Sequence, residues 1–136
     1  MDAVGGGVPS SFRPPVTLVG SIVRLVPLER VHATLLASSA DDPDIWRYLP
    51  YGPRRTPSAL TEHIDDLLAR QATGTDLAFT VQLVETGAPV GMTRFLNVDR
   101  ESGSVEIGGT WYSRECRRTS VNTESKRLLL GHAFEV

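Results

Sequence analysis

The spacing of hydrophobic residues changes near Leu77, from the period of a helix to that of a strand. Before this point, one face of an amphipathic helix is formed by Leu60, Ile64, Leu67 and Leu68. After it come three β-rich segments, LAFTVQLVE, APVGMTRFLNV and GSVEIGGTWYS, separated by the turn sequences TG and DRES. Short turns between such segments are typical of antiparallel neighbours. The sequence therefore predicts a helix followed by an antiparallel meander of three strands.

The remaining segments complete an alternation of strands and helices. SIVRLVPL, residues 21–28, predicts a strand, and the spacing of Val31, Leu35 and Leu36 predicts a helix after it. Residues 41–55 form a long aromatic loop, and Thr56 and Pro57 begin the second helix, which should end near Gly74. A polar loop at residues 114–120 leads into a last helix, whose predicted buried face is formed by Val121, Ser125, Leu128, Leu129, Ala133 and Val136. The expected fold class is α+β, with a mostly antiparallel sheet, two helices after the first strand and a final helix packed on the sheet.

Composition excludes several classes of protein. The 136 residues carry a net charge of −2, so the chain lacks the overall positive field that holds nucleic acid. One cysteine, Cys116, cannot form an internal disulfide, and three scattered histidines do not have zinc-ligand spacing. Residues 1–19, rich in Gly, Pro and Ser, predict a flexible tail and neither a signal peptide nor a membrane span. We expect one cytoplasmic domain over residues 20–136, with no nucleic-acid, membrane or metal partner.

Two local features of the sequence point to a ligand site. Gly108 and Gly109 lie inside the last predicted strand, where glycine usually marks a bulge or the close approach of a ligand or another backbone. The loop that follows contains Arg117 and Arg118 and runs into a helix, where unpaired N–H groups and the helix dipole suit a phosphate. An ordinary solvated loop explains the same residues.

The chain resembles the GNAT acetyltransferases, in the branch that includes the ribosomal-protein N-terminal alanine acetyltransferases. The resemblance covers residues 20–136 and is carried by VRLVPLERVHA, IWRYLPYGP, PVGMTRFLNVD, SVEIGGTWYS and RRTSVNTESKRLLLGHAFE. It implies transfer of an acetyl group from acetyl-CoA to a primary amine, of a protein N-terminus or a small molecule. In this family a loop with the pattern Arg or Gln, two residues, Gly, one residue, Gly or Ala holds the pyrophosphate of coenzyme A.

The pyrophosphate loop maps onto Arg117, Arg118, Thr119, Ser120, Val121 and Asn122. Ser120 and Asn122 depart from the pattern, because they stand where the family has small residues without a polar side chain. A Cβ at position 120 could weaken phosphate packing, and the serine hydroxyl could offer a replacement hydrogen bond.

The resemblance also implies roles for residues of the last strand and of the aromatic loop. A main-chain amide among Thr110, Trp111 and Tyr112 would face the thioester carbonyl, where negative charge develops. Glu106 is the candidate base, with a cross-strand or solvent-facing partner of an arginine as its equal alternative. The residues expected to border the acceptor amine are Trp46, Tyr48 and Tyr51, for which plain packing is an equally good explanation.

Three other polar residues are expected to be structural or incidental. Glu124 should complement the dipole of the last helix and balance Lys126 or Arg127, and His132 should be a satisfied core histidine. Cys116 has no catalytic companion nearby in sequence and is treated as incidental.

In the resembled family, the helix that ends near Phe134 is followed by further strands and a helix. We therefore expect a C-terminally truncated version of the fold, with the GSVEIGGTWYS strand as a partly exposed edge. Such an edge could pair with a second copy of the chain. The alternative to an enzyme is consequently an inactive module that acts through dimerisation or partner binding.

Overall fold

The computed structural model describes residues 16–40, 57–99, 101–102, 104–113, 116 and 119–134. Five strands and three helices lie in this part of the chain. The strands are β1 (Leu18–Val19), β2 (Val23–Pro27), β3 (Leu77–Leu83), β4 (Pro89–Asp99) and β5 (Ser104–Tyr112). The helices are α1 (His32–Ala40), α2 (Pro57–Ala72) and α3 (Ser120–Phe134).

The five strands form one antiparallel sheet in the order β1-β2-β3-β4-β5. The predicted α+β class and the meander of three strands are confirmed, as β3, β4 and β5. The first predicted strand is β2, and a two-residue strand, β1, pairs with its outer edge inside the range assigned to the tail. In the part of the chain that the structure describes, β5 pairs with β4 alone.

Each face of the sheet carries its own hydrophobic core, because side chains alternate between the faces along every strand. On one face, α3 packs through Val121 and Leu129 against a cluster that includes Phe79, Phe95 and Tyr112. We call this the α3 face. On the other, the α1/α2 face, the core residues are Leu36, Leu60, Ile64, Leu67, Ala78, Met92 and Trp111.

The helix α2 follows its sequence signals closely. Leu60, Ile64 and Leu67 are buried at the predicted helical spacing. At the C-terminal end, Gly74 has a φ of +85°. Its N–H bonds the Gln71 carbonyl at 3.0 Å, and the Thr75 N–H bonds the Arg70 carbonyl at 3.2 Å. This pair of bonds is a Schellman motif, which satisfies the last carbonyls of the helix and ends it.

The helix α1 forms where the sequence places it, with a different buried face. Ala33 and Leu36 are buried, whereas Val31 and Leu35 remain exposed. The helix begins at His32, so Val31 precedes it and does not share its face.

Glu124 has a different role from the predicted one. It is buried, and its Oε1 accepts hydrogen bonds from the N–H groups of Ile22 and Val23, each at 2.7 Å. Its Oε2 accepts from the Ser21 N–H and hydroxyl, at 3.2 and 2.9 Å. Burial alone would raise the pKa of Glu124, but the bonds from Val23, Ile22 and Ser21 outweigh it and lower the pKa. Glu124 thus ties α3 to the turn between β1 and β2.

Candidate functional site

A bulge interrupts the pairing of β5 with β4. Met92 pairs with Trp111, and Arg94 pairs with Gly108. Two residues of β5, Gly109 and Thr110, therefore oppose the single residue between Met92 and Arg94. Gly109 has a φ of +58°, a conformation in which glycine avoids the steric cost of a side chain. The prediction that the internal glycines mark a bulge is confirmed.

The residues after the bulge resume the regular alternation of a strand. Ser113 N–H donates to the Val90 carbonyl at 2.7 Å, so Ser113 faces β4. Residues of an antiparallel pair alternate in the side to which their N–H and C=O point. The main-chain N–H and C=O of Tyr112 consequently point away from β4, to the side on which the described residues supply no further strand. Among the residues 110–112 predicted to face a carbonyl, Trp111 faces β4 by the same alternation, Thr110 lies within the bulge, and Tyr112 is the regularly paired residue whose amide points away from β4.

The Tyr112 side chain joins β5 to the start of α3. Its hydroxyl donates to Asn122 Oδ1 at 3.0 Å. Burial raises the pKa of Tyr112, although the neighbouring Ser125 hydroxyl offsets part of this rise. Tyr112 is therefore a neutral donor near neutral pH. Asn122 is one of the departures from the expected loop pattern. Its presence has a physical reason, because its side-chain amide anchors Tyr112.

The first turn of α3 is capped from within the chain. Thr119 Oγ1 accepts from the Val121 N–H at 3.2 Å and donates to the Cys116 carbonyl at 2.6 Å. The side chain of Val121 is buried in the core of the α3 face, so only the main chain of Val121 can contact a ligand. Ser120 is exposed at the first position of the helix. The positive end of the helix dipole lies here.

Glu106 is exposed on β5, where Asn97 Nδ2 donates to its Oε2 at 2.6 Å. Its partner is thus an amide of β4, whereas the predicted alternative to a catalytic role was a pairing with an arginine. Glu106 pairs with Leu96. Leu96 shares a face with Met92, so Glu106 lies on the α1/α2 face. It precedes Tyr112 by six positions in the sequence. Their partners on β4, Leu96 and Gly91, are five positions apart, so the two Cα atoms are about 17 Å apart and the two residues cannot contact the same ligand atom.

The other predicted site residues lie outside the described residues. They are the aromatic residues Trp46, Tyr48 and Tyr51 and the basic residues Arg117 and Arg118. Among the described residues, no group of three or more His, Cys, Asp or Glu side chains could hold a metal ion. No helix within the described ranges is long and apolar enough to cross a membrane.

The structure adds two polar contacts that the sequence analysis did not include. Thr93 Oγ1 lies 2.8 Å from Thr110 Oγ1, across the bulge on the α3 face. On the opposite face, Arg94 forms a buried ion pair with Asp76. The signal in the sequence for this ion pair was Arg94, a charged residue inside a strand of mostly hydrophobic residues.

Comparison with known proteins identifies the family. The model of the acetyltransferase (GNAT) domain matches residues 23–136, so the chain belongs to the GNAT acetyltransferase domain family. No protein with curated annotation matches the chain significantly. Solved structures do match, and they include proteins of the GNAT family.

A probable GNAT-family acetyltransferase from Chromobacterium violaceum superposes with a TM-score of 0.84 at 27 % identity, over 99 % of this chain and 67 % of that one. A GCN5-related N-acetyltransferase from Brucella melitensis gives 0.82 at 22 % identity, over 98 % and 60 %. RimL, a ribosomal alpha-N-protein acetyltransferase solved with coenzyme A, gives 0.74 at 13 % identity, over 86 % and 67 %. The chain thus has the GNAT fold and spans 60–67 % of the length of these structures.

Proposed function

We propose that the chain is an N-acetyltransferase that transfers an acetyl group from acetyl-CoA to a primary amine by direct attack of the amine. The observation that carries this proposal is the outer edge of β5, to which the described residues add no strand and which is bulged at Gly109 and joined to the start of α3 through Tyr112 and Asn122. Membership of the GNAT family supports transfer of an acyl group in general. The acetyl donor and the amine acceptor are the specific parts of the proposal.

The start of α3 suits the pyrophosphate of coenzyme A. The first turn of a helix presents N–H groups that have no partner within the helix, at the positive end of its dipole. Ser120 adds an exposed hydroxyl beside them. In the proposal, Arg117 and Arg118 supply the charge, while Thr119 keeps the turn in shape through its cap. The pantetheine arm contains amides, which can pair with the N–H and C=O of Tyr112 on the side away from β4, as an added strand does.

Acetyl-CoA would supply an acyl group activated as a thioester. The Tyr112 N–H donates to the thioester carbonyl oxygen, which becomes negative as the amine attacks. Glu106 accepts the proton that the ammonium loses to become the attacking amine. Because the strand holds Glu106 far from Tyr112, this proton passes along intervening water molecules. A C–N bond then forms and the C–S bond breaks, and the departing thiolate takes up the second proton, which the nitrogen loses as the amide forms.

The acceptor is proposed to approach from the α1/α2 face, on which Glu106 lies. The aromatic residues Trp46, Tyr48 and Tyr51 remain the predicted border of this acceptor site. A protein N-terminus is the first acceptor to test, because RimL is an alpha-N-protein acetyltransferase and the sequence resembles the ribosomal-protein alanine branch. A small-molecule amine is the second.

An assay of thiol release tests the proposal. The purified chain is mixed with acetyl-CoA and either a peptide that begins with alanine or spermidine. We expect thiol release to depend on the acceptor, and Glu106→Gln to lower kcat. Glu85→Gln, which changes an exposed carboxylate in the turn after β3, is the matched control and should leave kcat unchanged. Equal kcat for both variants would remove Glu106 from the mechanism.

The same edge of β5 motivates the alternative, a non-catalytic module that dimerises by strand pairing. It predicts twice the monomer mass in solution together with no effect of coenzyme A on stability. A monomer stabilised by coenzyme A contradicts it.

A further inference from the structure

A buried ion pair lies beside the bulge of β5, on the α1/α2 face. Arg94 Nε is 3.3 Å from Asp76 Oδ2, and the two side chains are 12 % and 2 % exposed. Asp76 directly precedes β3, and Arg94 is opposite Gly108 of β5. Neither charge takes part in the proposed chemistry. Burying a pair of charges forfeits the solvation of both ions, so stability alone is a weak reason for its presence.

The guanidinium of Arg94 packs directly against the main chain of the bulge. A Cβ added at Gly109 would lie 3.2 Å from Arg94 Cζ and 3.3 Å from its Nη1, tighter than ordinary van der Waals contact. Gly109 also has a φ of +58°. Both the backbone conformation and the contact with Arg94 therefore favour glycine at this position.

The bulge is held on its other face as well. Thr93 is almost fully buried, and its hydroxyl lies 2.8 Å from that of Thr110. The bulge is thus fixed between a hydroxyl pair on the α3 face and a charged, planar group on the α1/α2 face. Asp76 is the charged partner of that planar group, through a 3.3 Å contact to Arg94 Nε that is electrostatic and lacks hydrogen-bond geometry.

We infer that Asp76 and Arg94 are positioning residues, which hold the β5 bulge in the shape that directs the Tyr112 amide at the thioester carbonyl. A bulge sets the local twist and bend of its strand, so it sets the direction of the residues that follow. Tyr112 follows Gly109 by three positions in the sequence. The inference rests on the proposed function, because it concerns the contact to the acyl group.

A comparison of two ligands isolates this contact. Coenzyme A and acetyl-CoA share the nucleotide and the pantetheine arm, and they differ by the acetyl group. The ratio of their dissociation constants therefore reports the contacts of the acetyl group, among them the hydrogen bond to the thioester carbonyl. The measurement is calorimetric titration of the full chain with each ligand, and it needs no acceptor.

The decisive variant is Arg94→Lys. Lysine keeps a cation beside Asp76, so no buried carboxylate is left unpaired, but it lacks the planar group that packs against Gly109. Asp76→Asn is the second variant. Arg24→Lys is the matched control, since Arg24 lies in β2 and donates through Nε to Gln82 Oε1 at 3.0 Å. Thermal unfolding of each variant reports whether the fold is retained.

For the wild-type chain we expect acetyl-CoA to bind about three- to tenfold more tightly than coenzyme A, the size of one hydrogen bond. In Arg94→Lys and Asp76→Asn the ratio should fall close to one while the affinity for coenzyme A changes less than about twofold. Arg24→Lys should keep the wild-type ratio. If Asp76→Asn does not fold, the ratio in Arg94→Lys decides alone.

The outcomes separate this inference from the proposed function. A wild-type chain that binds neither ligand overturns both. A wild-type ratio of one overturns the inference, because no contact to the acyl group then exists. A wild-type ratio retained in Arg94→Lys, with a lower unfolding temperature, means that the ion pair has a structural role only and also overturns the inference.

Discussion

Glu124→Gln should destabilise the protein by about 2–3 kcal/mol. The Glu124 carboxylate accepts four hydrogen bonds from the turn between β1 and β2, three from main-chain N–H groups and one from the Ser21 hydroxyl. Hydrogen bonds to a charged group contribute about 1.5–3 kcal/mol each. Glutamine keeps one oxygen for Ile22 and Val23 but places an NH₂ donor against the Ser21 N–H. The substitution therefore removes an acceptor together with the charge.

Two measurements check this magnitude. A loss of about 2.5 kcal/mol should lower the unfolding temperature by about 10 °C in a domain of this size. Urea denaturation should show the same loss as a lower midpoint without a change in slope. Glu62→Gln is the matched control, because Glu62 is an exposed carboxylate on α2, and it should stay within about 0.5 kcal/mol of the wild type.

The loss of stability in Glu124→Gln should also depend on pH in a defined direction. The pKa of Glu124 is lowered in the folded protein from a reference value of 4.5. A lowered pKa stabilises the fold above the unfolded-state value, and this stabilisation is lost as the pH falls through the folded-state value. The difference between wild type and Glu124→Gln should thus be constant above about pH 5.5 and shrink below pH 4.5. A difference below 0.5 kcal/mol at neutral pH, or one that grows in acid, refutes the assigned role.

Three further predictions concern the sheet, the site and histidine protonation. Gly91→Ala should cost more than about 3 kcal/mol in a urea titration, since its Cβ would overlap the Trp111 main-chain carbonyl across the sheet. Tyr112→Phe should cost about 1 kcal/mol of stability through the lost bond to Asn122, and it should weaken coenzyme A binding measurably in a titration. Burial lowers the pKa of His32 from 6.5, so unfolding experiments should show stability falling as the pH drops below about 6.5, and His32→Gln should remove this slope.

Local sequence patterns predicted the elements that carry strong periodicity. The buried face of α2 and its end at Gly74 follow from hydrophobic spacing and from the conformational freedom of glycine. The bulge at Gly109 was predictable for the same reason, since an internal glycine in a strand weakens regular pairing. The strand β1 was not predicted, because two residues carry no period.

Long-range polar contacts could not be predicted from the sequence. Glu124 bonds main-chain groups more than 100 positions away, and a main-chain N–H has no signature in the sequence. The predicted dipole role of Glu124 used only local neighbours, and it was wrong for this reason. The pairing of Asp76 with Arg94 likewise depends on the register between β3 and β4.

The central claim, a coenzyme A site formed by the edge of β5 and the start of α3, is tested most directly by thermal unfolding with acetyl-CoA. Ligand at about a hundred times its dissociation constant should add about 2.7 kcal/mol of stability and raise the midpoint by several degrees. The account predicts this rise for the wild-type chain and its loss in the double variant Arg117→Glu, Arg118→Glu. A folded wild-type chain whose midpoint does not move with saturating acetyl-CoA would contradict the account.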